Sequence, residues 1–151
     1  MDREISLLIH SDDNTKFQSY GDSNIDEESL LLKGYNISFT LNRTAPDTIY
    51  KKVILAQAAD RMLNFRTTDA AFVIGKTKEN TISVSARSKG RIDVGEIMRQ
   101  MHGGGNIQNA ATSIDDIDVF ELEKELMQQV EWGIKEEQDK KEKVKKIGRK
   151  V

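Results

Sequence analysis

The sequence predicts an α/β domain: a single mixed β-sheet with helices packed on it, and a charged helical extension at its C-terminal end. Three observations carry that prediction. Polar and apolar residues alternate in several short stretches, one intervening segment repeats its apolar residues at helical spacing, and the last stretch is almost free of apolar residues. At 151 residues the chain is long enough for one domain and too short for two ordinary ones. Hydrophobic residues make up 37% and charged residues 32%. Because the charge crowds at the end, the core is expected roughly between residues 35 and 130.

Taken in order, residues 1–34 hold one apolar stretch, Ile5 to Ile9, and then turn formers including Ser11, Asp12, Asp13, Asn14, Gly21, Asp22, Ser23 and Asn24. This part is expected to be peripheral. Asn36 to Leu41 alternates and reads as a strand, followed by a loop from Asn42 to Asp47 that carries the only proline, Pro46. Asp47 or Thr48 is placed to cap an amphipathic helix from Ile49 to Leu63, in which Val53, Ile54, Ala56, Ala58, Ala59, Met62 and Leu63 recur at helical spacing. Ala70 to Ile74 reads as a short buried strand and Gly75 to Asn80 as a hairpin. Thr81 to Arg87 reads as a strand whose Ile82, Val84 and Ala86 share one face. Its other face, Ser83, Ser85 and Arg87, is either solvated or the wall of a site. Asp93 is a plausible N-cap for a helix from Val94 to Met101 with Ile97, Met98 and Met101 toward the core.

After the triple glycine at 103–105, the small residues that follow Asn106 lead into another strand toward Ile114. Asp115, Asp116 and Asp118 precede a helix with a Val119, Leu122, Leu126 and Val130 stripe. Acids at a helix start suit the macrodipole, and no metal is assigned to them. From Lys135 the chain cannot bury enough surface to fold alone, so it is either a solvated helical extension or a frayed tail. The domain reading is therefore a peripheral segment over 1–34, a folded domain over 35–134 and a charged tail over 135–151.

Composition excludes several classes of function. A formal net charge of −2 argues against a general duplex-DNA surface while leaving local phosphate binding open. The absence of cysteine removes disulfides, thiolate catalysis and cysteine-based zinc sites. No run of about 18 apolar residues exists and Met1-Asp2-Arg3-Glu4 does not open a signal peptide, so a soluble chain in a cytosolic setting is expected. The two histidines, His10 and His102, stand in no ligand spacing, and no serine sits in a nucleophile elbow. What remains is a binding surface. Glycines without Cβ let backbone N–H groups turn toward an anion, and the guanidinium of Arg87 offers a planar fork for phosphate oxygens. A plainer reading of Gly103 is a left-handed helix C-cap, which leaves two glycines more than a cap needs. The candidate set is Ser85, Arg87, Ser88, His102, Gly103, Gly104, Gly105 and Asn106.

These residues carry a resemblance. A-Q-A-A-D at 56–60, A-A-F-V-I-G-K at 70–76, S-V-S-A-R-S-K-G-R-I-D-V at 83–94 and H-G-G-G-N-I-Q-N-A-A-T at 102–112 together resemble the DHH-associated C-terminal domain of cyclic-di-AMP phosphodiesterases of the GdpP type. The wider DHH phosphoesterase superfamily includes nano-RNases. The resemblance implies that an N-terminal domain with an Asp-His-His motif holds the catalytic metals, usually manganese, and that this domain contributes nucleotide binding. It also implies a parent protein anchored at the cell membrane with this part in the cytoplasm. Gly103 to Gly105 match the family's glycines, and Ser85, Arg87 and Ser88 match its strand end. The family pattern is four glycines and a histidine, whereas this chain has His102 at the first glycine and Asn106 at the histidine. Asparagine can donate to a phosphate oxygen but cannot carry a positive charge at neutral pH. The departure bears on substrate affinity or domain closure, with His102 as the residue that would compensate in part.

The leading expectation is therefore a substrate-binding part that orients a cyclic or linear adenine dinucleotide for metal-dependent hydrolysis by a DHH domain outside these 151 residues, inactive alone and without a cofactor of its own. The same fold in a short-oligonucleotide hydrolase of the nano-RNase kind is the second reading. A non-catalytic nucleotide-binding or interaction module, docked through its charged extension, is the third. A second copy of the chain is the remaining partner that the sequence leaves open.

Overall fold

The computed structural model describes residues 17–19, 25–42, 48–65 and 67–149. Seven strands form one sheet in the order β1-β2-β3-β4-β5-β7-β6: β1 Phe17–Ser19, β2 Ile25–Leu32, β3 Tyr35–Asn42, β4 Ala70–Lys78, β5 Thr81–Ser88, β6 Gly104–Gly105 and β7 Asn109–Asp115. Every neighbouring pair is antiparallel except β3 and β4, so the sheet is mixed. A parallel pair needs a crossover. Helix α1, Lys52–Leu63, lies on that connection. Helices α2, Val94–Gln100, and α3, Val119–Arg149, follow β5 and β7.

Strand alternation divides the molecule into two layers. On one face Ile37, Phe39, Phe72, Ile74, Val84, Ala86 and Ala110 meet Ile97, Met98 and Met101 of α2 and Leu122, Leu126, Met127, Val130 and Ile134 of α3. Phe39 and Phe72, partners across β3 and β4, stack with ring centroids 5.7 Å apart. On the other face Ala71 and Val73 pack against Leu55, Ala59 and Met62 of α1. These three residues are spaced i, i+4, i+7 and make one helical stripe.

Several expectations shift. The segment before residue 35 contains β1 and β2, and β2 pairs with β3 from Ile25–Asn42 to Leu32–Tyr35, so these residues belong to the sheet. Neighbouring main chain, rather than local alternation, makes them strand. The apolar stretch Ile5 to Ile9 and the Asn42–Asp47 loop beyond Asn42 lie outside the described residues. Helix α1 begins at Lys52 with Lys51, rather than Thr48, in the N-cap position and no side-chain cap bond; Asp47 lies outside the described residues. Val53 and Ile54 face outward, and Leu55 takes the buried place. Gly75 is part of β4 and not of the turn. A Cβ there would stand 2.7 Å from Leu55 Cδ2, so its absence lets α1 lie close on the strand. The turn itself is Glu79–Asn80.

Asp93 does cap α2, accepting from the Glu96 N–H at 3.0 Å. The three acids before α3 diverge. Asp118 accepts from the Phe120 N–H at 3.2 Å, Asp115 accepts from Thr81 Oγ1 at 2.6 Å, and Asp116 adopts φ +54°. Beyond Lys135 the chain stays helical to Arg149. Lys141 reaches back to donate to the Tyr35 hydroxyl at 3.2 Å. Among the described residues no helix is long and apolar enough to cross a membrane.

Candidate functional site

Helix α1 packs chiefly over β4 and β5 and leaves the sheet's β7–β6 edge open. The uncovered corner is a groove with a cavity volume of about 470 Å³, lined by Lys52, Val53 and Ala56 of α1, Ser85 and Arg87 of β5, Gly104 and Gly105 of β6, and Asn109, Ala110 and Ala111 of β7. Register builds its floor. Ser85 stands opposite Ala111, and Arg87 opposite Asn109, so alternate residues of β5 and β7 face the groove while Ala86 and Val84 face the core. None of the polar row Ser83, Ser85 and Arg87 is freely solvated: Ser83 and Ser85 are buried, Arg87 is half-buried, and Ser85 and Arg87 line the groove.

The guanidinium of Arg87 is held rather than loose. Its Nε donates to Asp60 Oδ1 of α1 at 2.8 Å and its Nη1 donates to the Ala86 carbonyl at 2.9 Å. Lys52 makes no ion pair with the described residues. Two cationic side chains and no acidic one therefore line the groove, between an apolar shelf of Val53, Ala56 and Ala111 and the main chain of β6.

The three glycines have different jobs. At Gly103 a Cβ would run into the Ala111 carbonyl and Thr112, 2.5 Å from its Cβ, and the Gly103 N–H is spent on the Met98 carbonyl at 2.8 Å. Gly105, at φ +144°, has its Cβ position filled by Asn109 and Ala110. At Gly104 nothing lies within 4 Å, so this is the point where a ligand can come up to the main chain. Since β6 ends the sheet, its outer edge has no further strand partner among the described residues. The left-handed turn after α2 falls on His102, φ +65°, rather than on Gly103.

Of the eight residues expected from sequence, Ser85, Arg87, Gly104 and Gly105 converge on the groove. The other four are elsewhere. Ser88 is buried, donating to the Ile92 carbonyl at 2.6 Å and accepting from the Gly90 N–H at 2.8 Å, so it folds the loop after β5. Gly103 is a packing glycine. His102 is exposed and outside the lining. Asn106 turns its Oδ1 back to accept from the Gln108 and Asn109 N–H groups, both at 2.9 Å, so that oxygen shapes the loop. Sequence reasoning missed Lys52, Asn109 and Asp60. The one available signal for Asp60 was its place one helical turn after Ala56.

Among the described residues no three His, Asp or Glu side chains come together as a metal site.

Residues 36–132 match the model of the DHHA1 domain. The cyclic-di-AMP phosphodiesterase PdeA of Listeria monocytogenes is 42% identical over 104 residues, covering 69% of this chain and 16% of that protein. The cyclic-di-AMP phosphodiesterase GdpP of Bacillus subtilis is 37% identical over 95 residues, covering 63% of this chain and 14% of that protein. The chain thus spans less than a fifth of the length of these relatives. Among solved structures, the pGpG-specific phosphodiesterase PggH of Vibrio cholerae aligns with 70% of this chain and 36% of its own, at a TM-score of 0.43 and 18% identity. With nearly two thirds of its length matched by one domain model, this chain belongs to the DHHA1 domain family.

Proposed function

We propose that this chain is the substrate-binding part of a cyclic-di-AMP phosphodiesterase and orients a cyclic or linear adenine dinucleotide in the groove between α1 and the β5–β7–β6 edge. One observation carries the reading: a fixed guanidinium, Arg87, faces an open stretch of main chain at Gly104 across a floor of small residues. Arg87 pairs a phosphate through its free N–H donors. The apolar shelf of Val53, Ala56 and Ala111 suits a base or ribose face, and Ser85 and Asn109 supply polar contacts beside it. Asn109, opposite Arg87, offers a polar contact of the kind that the resemblance gave to Asn106.

The bond-breaking step belongs to a metal-bearing DHH domain, with manganese as its metal, and this chain's residues bind and orient. The parent protein is a phosphodiesterase of the cytoplasmic face of the membrane. The reading is supported by the family and by relatives named for cyclic di-AMP hydrolysis.

Calorimetric titration with cyclic di-AMP and with linear pApA tests it. The expected result is saturable binding of at least one ligand, weakened about tenfold or more by Arg87→Ala, since hydrogen bonds to charged groups contribute about 1.5–3 kcal/mol. Equal affinity in the variant removes Arg87 from the site, and no binding of either ligand removes the groove as an independent site. Hydrolysis of cyclic di-AMP by the purified chain with manganese would overturn the division of labour.

A further inference from the structure

Asp60 stands outside the groove lining, with a side chain 61% exposed, yet it holds the groove's principal cation. The fork of Arg87 has five N–H donors. Asp60 occupies Nε and the Ala86 carbonyl occupies one Nη1 proton. Both Nη2 protons and the second Nη1 proton remain, enough for a two-point phosphate contact through the end of the fork. Asp60 comes from α1, which also supplies Lys52, Val53 and Ala56, so the helix forms one wall of the groove and aims the fork mounted on the other.

We infer that Asp60 is a positioning residue: it orders the Arg87 guanidinium before a phosphate arrives and leaves the end of the fork for it. The inference rests on the groove being the phosphate site. A carboxylate this near has two opposed effects on an incoming anion. Its acceptor oxygen orders the fork, which removes part of the side-chain ordering cost from binding, and its negative charge repels the phosphate. Separating them requires two variants. Asp60→Asn keeps an acceptor and loses the charge, and Asp60→Ala loses both. They differ in the side-chain amide, whose oxygen can accept from Arg87 in Asp60→Asn and is missing from Asp60→Ala.

The experiment measures pApA affinity for the full chain, Asp60→Asn, Asp60→Ala and Arg87→Ala, together with the Arg87 Nε–Hε resonance by NMR without ligand. Expected are an affinity about fivefold weaker in Asp60→Ala than in Asp60→Asn, and an Hε resonance that is sharp and shifted in the wild type and Asp60→Asn but exchange-broadened in Asp60→Ala. Asp60→Asn itself should bind at least as well as the wild type, a rescue that a purely structural ion pair does not produce. Equal affinities in Asp60→Ala and Asp60→Asn, or an unchanged Hε resonance in Asp60→Ala, overturn the inference. If Arg87→Ala binds like the wild type, the phosphate-site reading falls instead, and the Hε resonance still decides whether Asp60 orders the fork.

Discussion

The two faces of the sheet are built from the same strands and carry different loads. Among the described residues, nineteen buried hydrophobic side chains cluster on the face under α2 and α3, and five on the face under α1. β5 shows how one strand serves both. Val84 and Ala86 enter the large cluster while Ser85 and Arg87, one residue away, line the groove. Stability is concentrated on the first face, leaving the second free to use small and hydroxyl-bearing residues that would build a poor core but a good binding floor. The difference predicts that substitutions on the first face unfold the domain, and that substitutions in the groove change binding with the fold intact.

The largest effect is expected from Phe72→Ala. Phe72 is fully buried and stacked on Phe39, and such truncations cost about 3–5 kcal/mol. Chemical denaturation would read this as a lower midpoint with an unchanged slope. If Val53→Ala on the groove wall costs as much, the division between faces is wrong, because Val53 is 53% exposed and its loss should stay within about 0.5 kcal/mol.

Next in size is a contrast inside the glycine loop. Gly103→Ala drives a methyl into the Ala111 carbonyl and Thr112, main-chain atoms that can yield only by moving β7. The overpacking cost is about 1–3 kcal/mol or more. Gly104→Ala meets nothing within 4 Å and should leave the melting temperature unchanged while weakening pApA binding, because its methyl occupies the approach to the main chain. A thermal melt and a titration on each variant check the pair. Equal destabilisation by both would mean that the loop is a packing unit throughout and that its open point has no role.

How much of this was legible in sequence follows the same division. β3 and β5 announce themselves by alternation, β4 by a short apolar run, and Asp93 by its cap position, because each is a local pattern with a local cause. β2 did not, since I-D-E-E-S-L-L-L has no period of two, and its strand state comes from pairing with β3 along its whole length. The groove was half legible. Ser85 and Arg87 follow from parity along β5, whereas the partnership of Arg87 with Asp60 joins residues 27 apart in sequence through a helix–sheet contact that no spacing encodes. Ser88 and Asn106 were of the right type for ligand contacts, and Ser88 spends its hydroxyl, Asn106 its side-chain oxygen, on turning the chain. Short polar side chains do that wherever a loop needs it.

The two serines at the end of β5 give the finest test of the comparison. Ser88 is buried with two hydrogen bonds, to the Ile92 carbonyl and from the Gly90 N–H. Ser88→Ala strands both partners and should cost about 1–3 kcal/mol without a direct effect on binding. Ser85 is also a buried residue, but its hydroxyl bonds to none of the described residues and opens on the groove. Its removal leaves no protein partner unsatisfied, so Ser85→Ala should change stability by no more than about 0.5 kcal/mol. What it should lose is a contact to ligand, about 0.5–1.5 kcal/mol or roughly two- to tenfold in pApA affinity. Reversed outcomes, a destabilised Ser85→Ala with full affinity, would make the hydroxyl a structural group and move the ligand off the β5 floor toward Lys52 and the β6 edge.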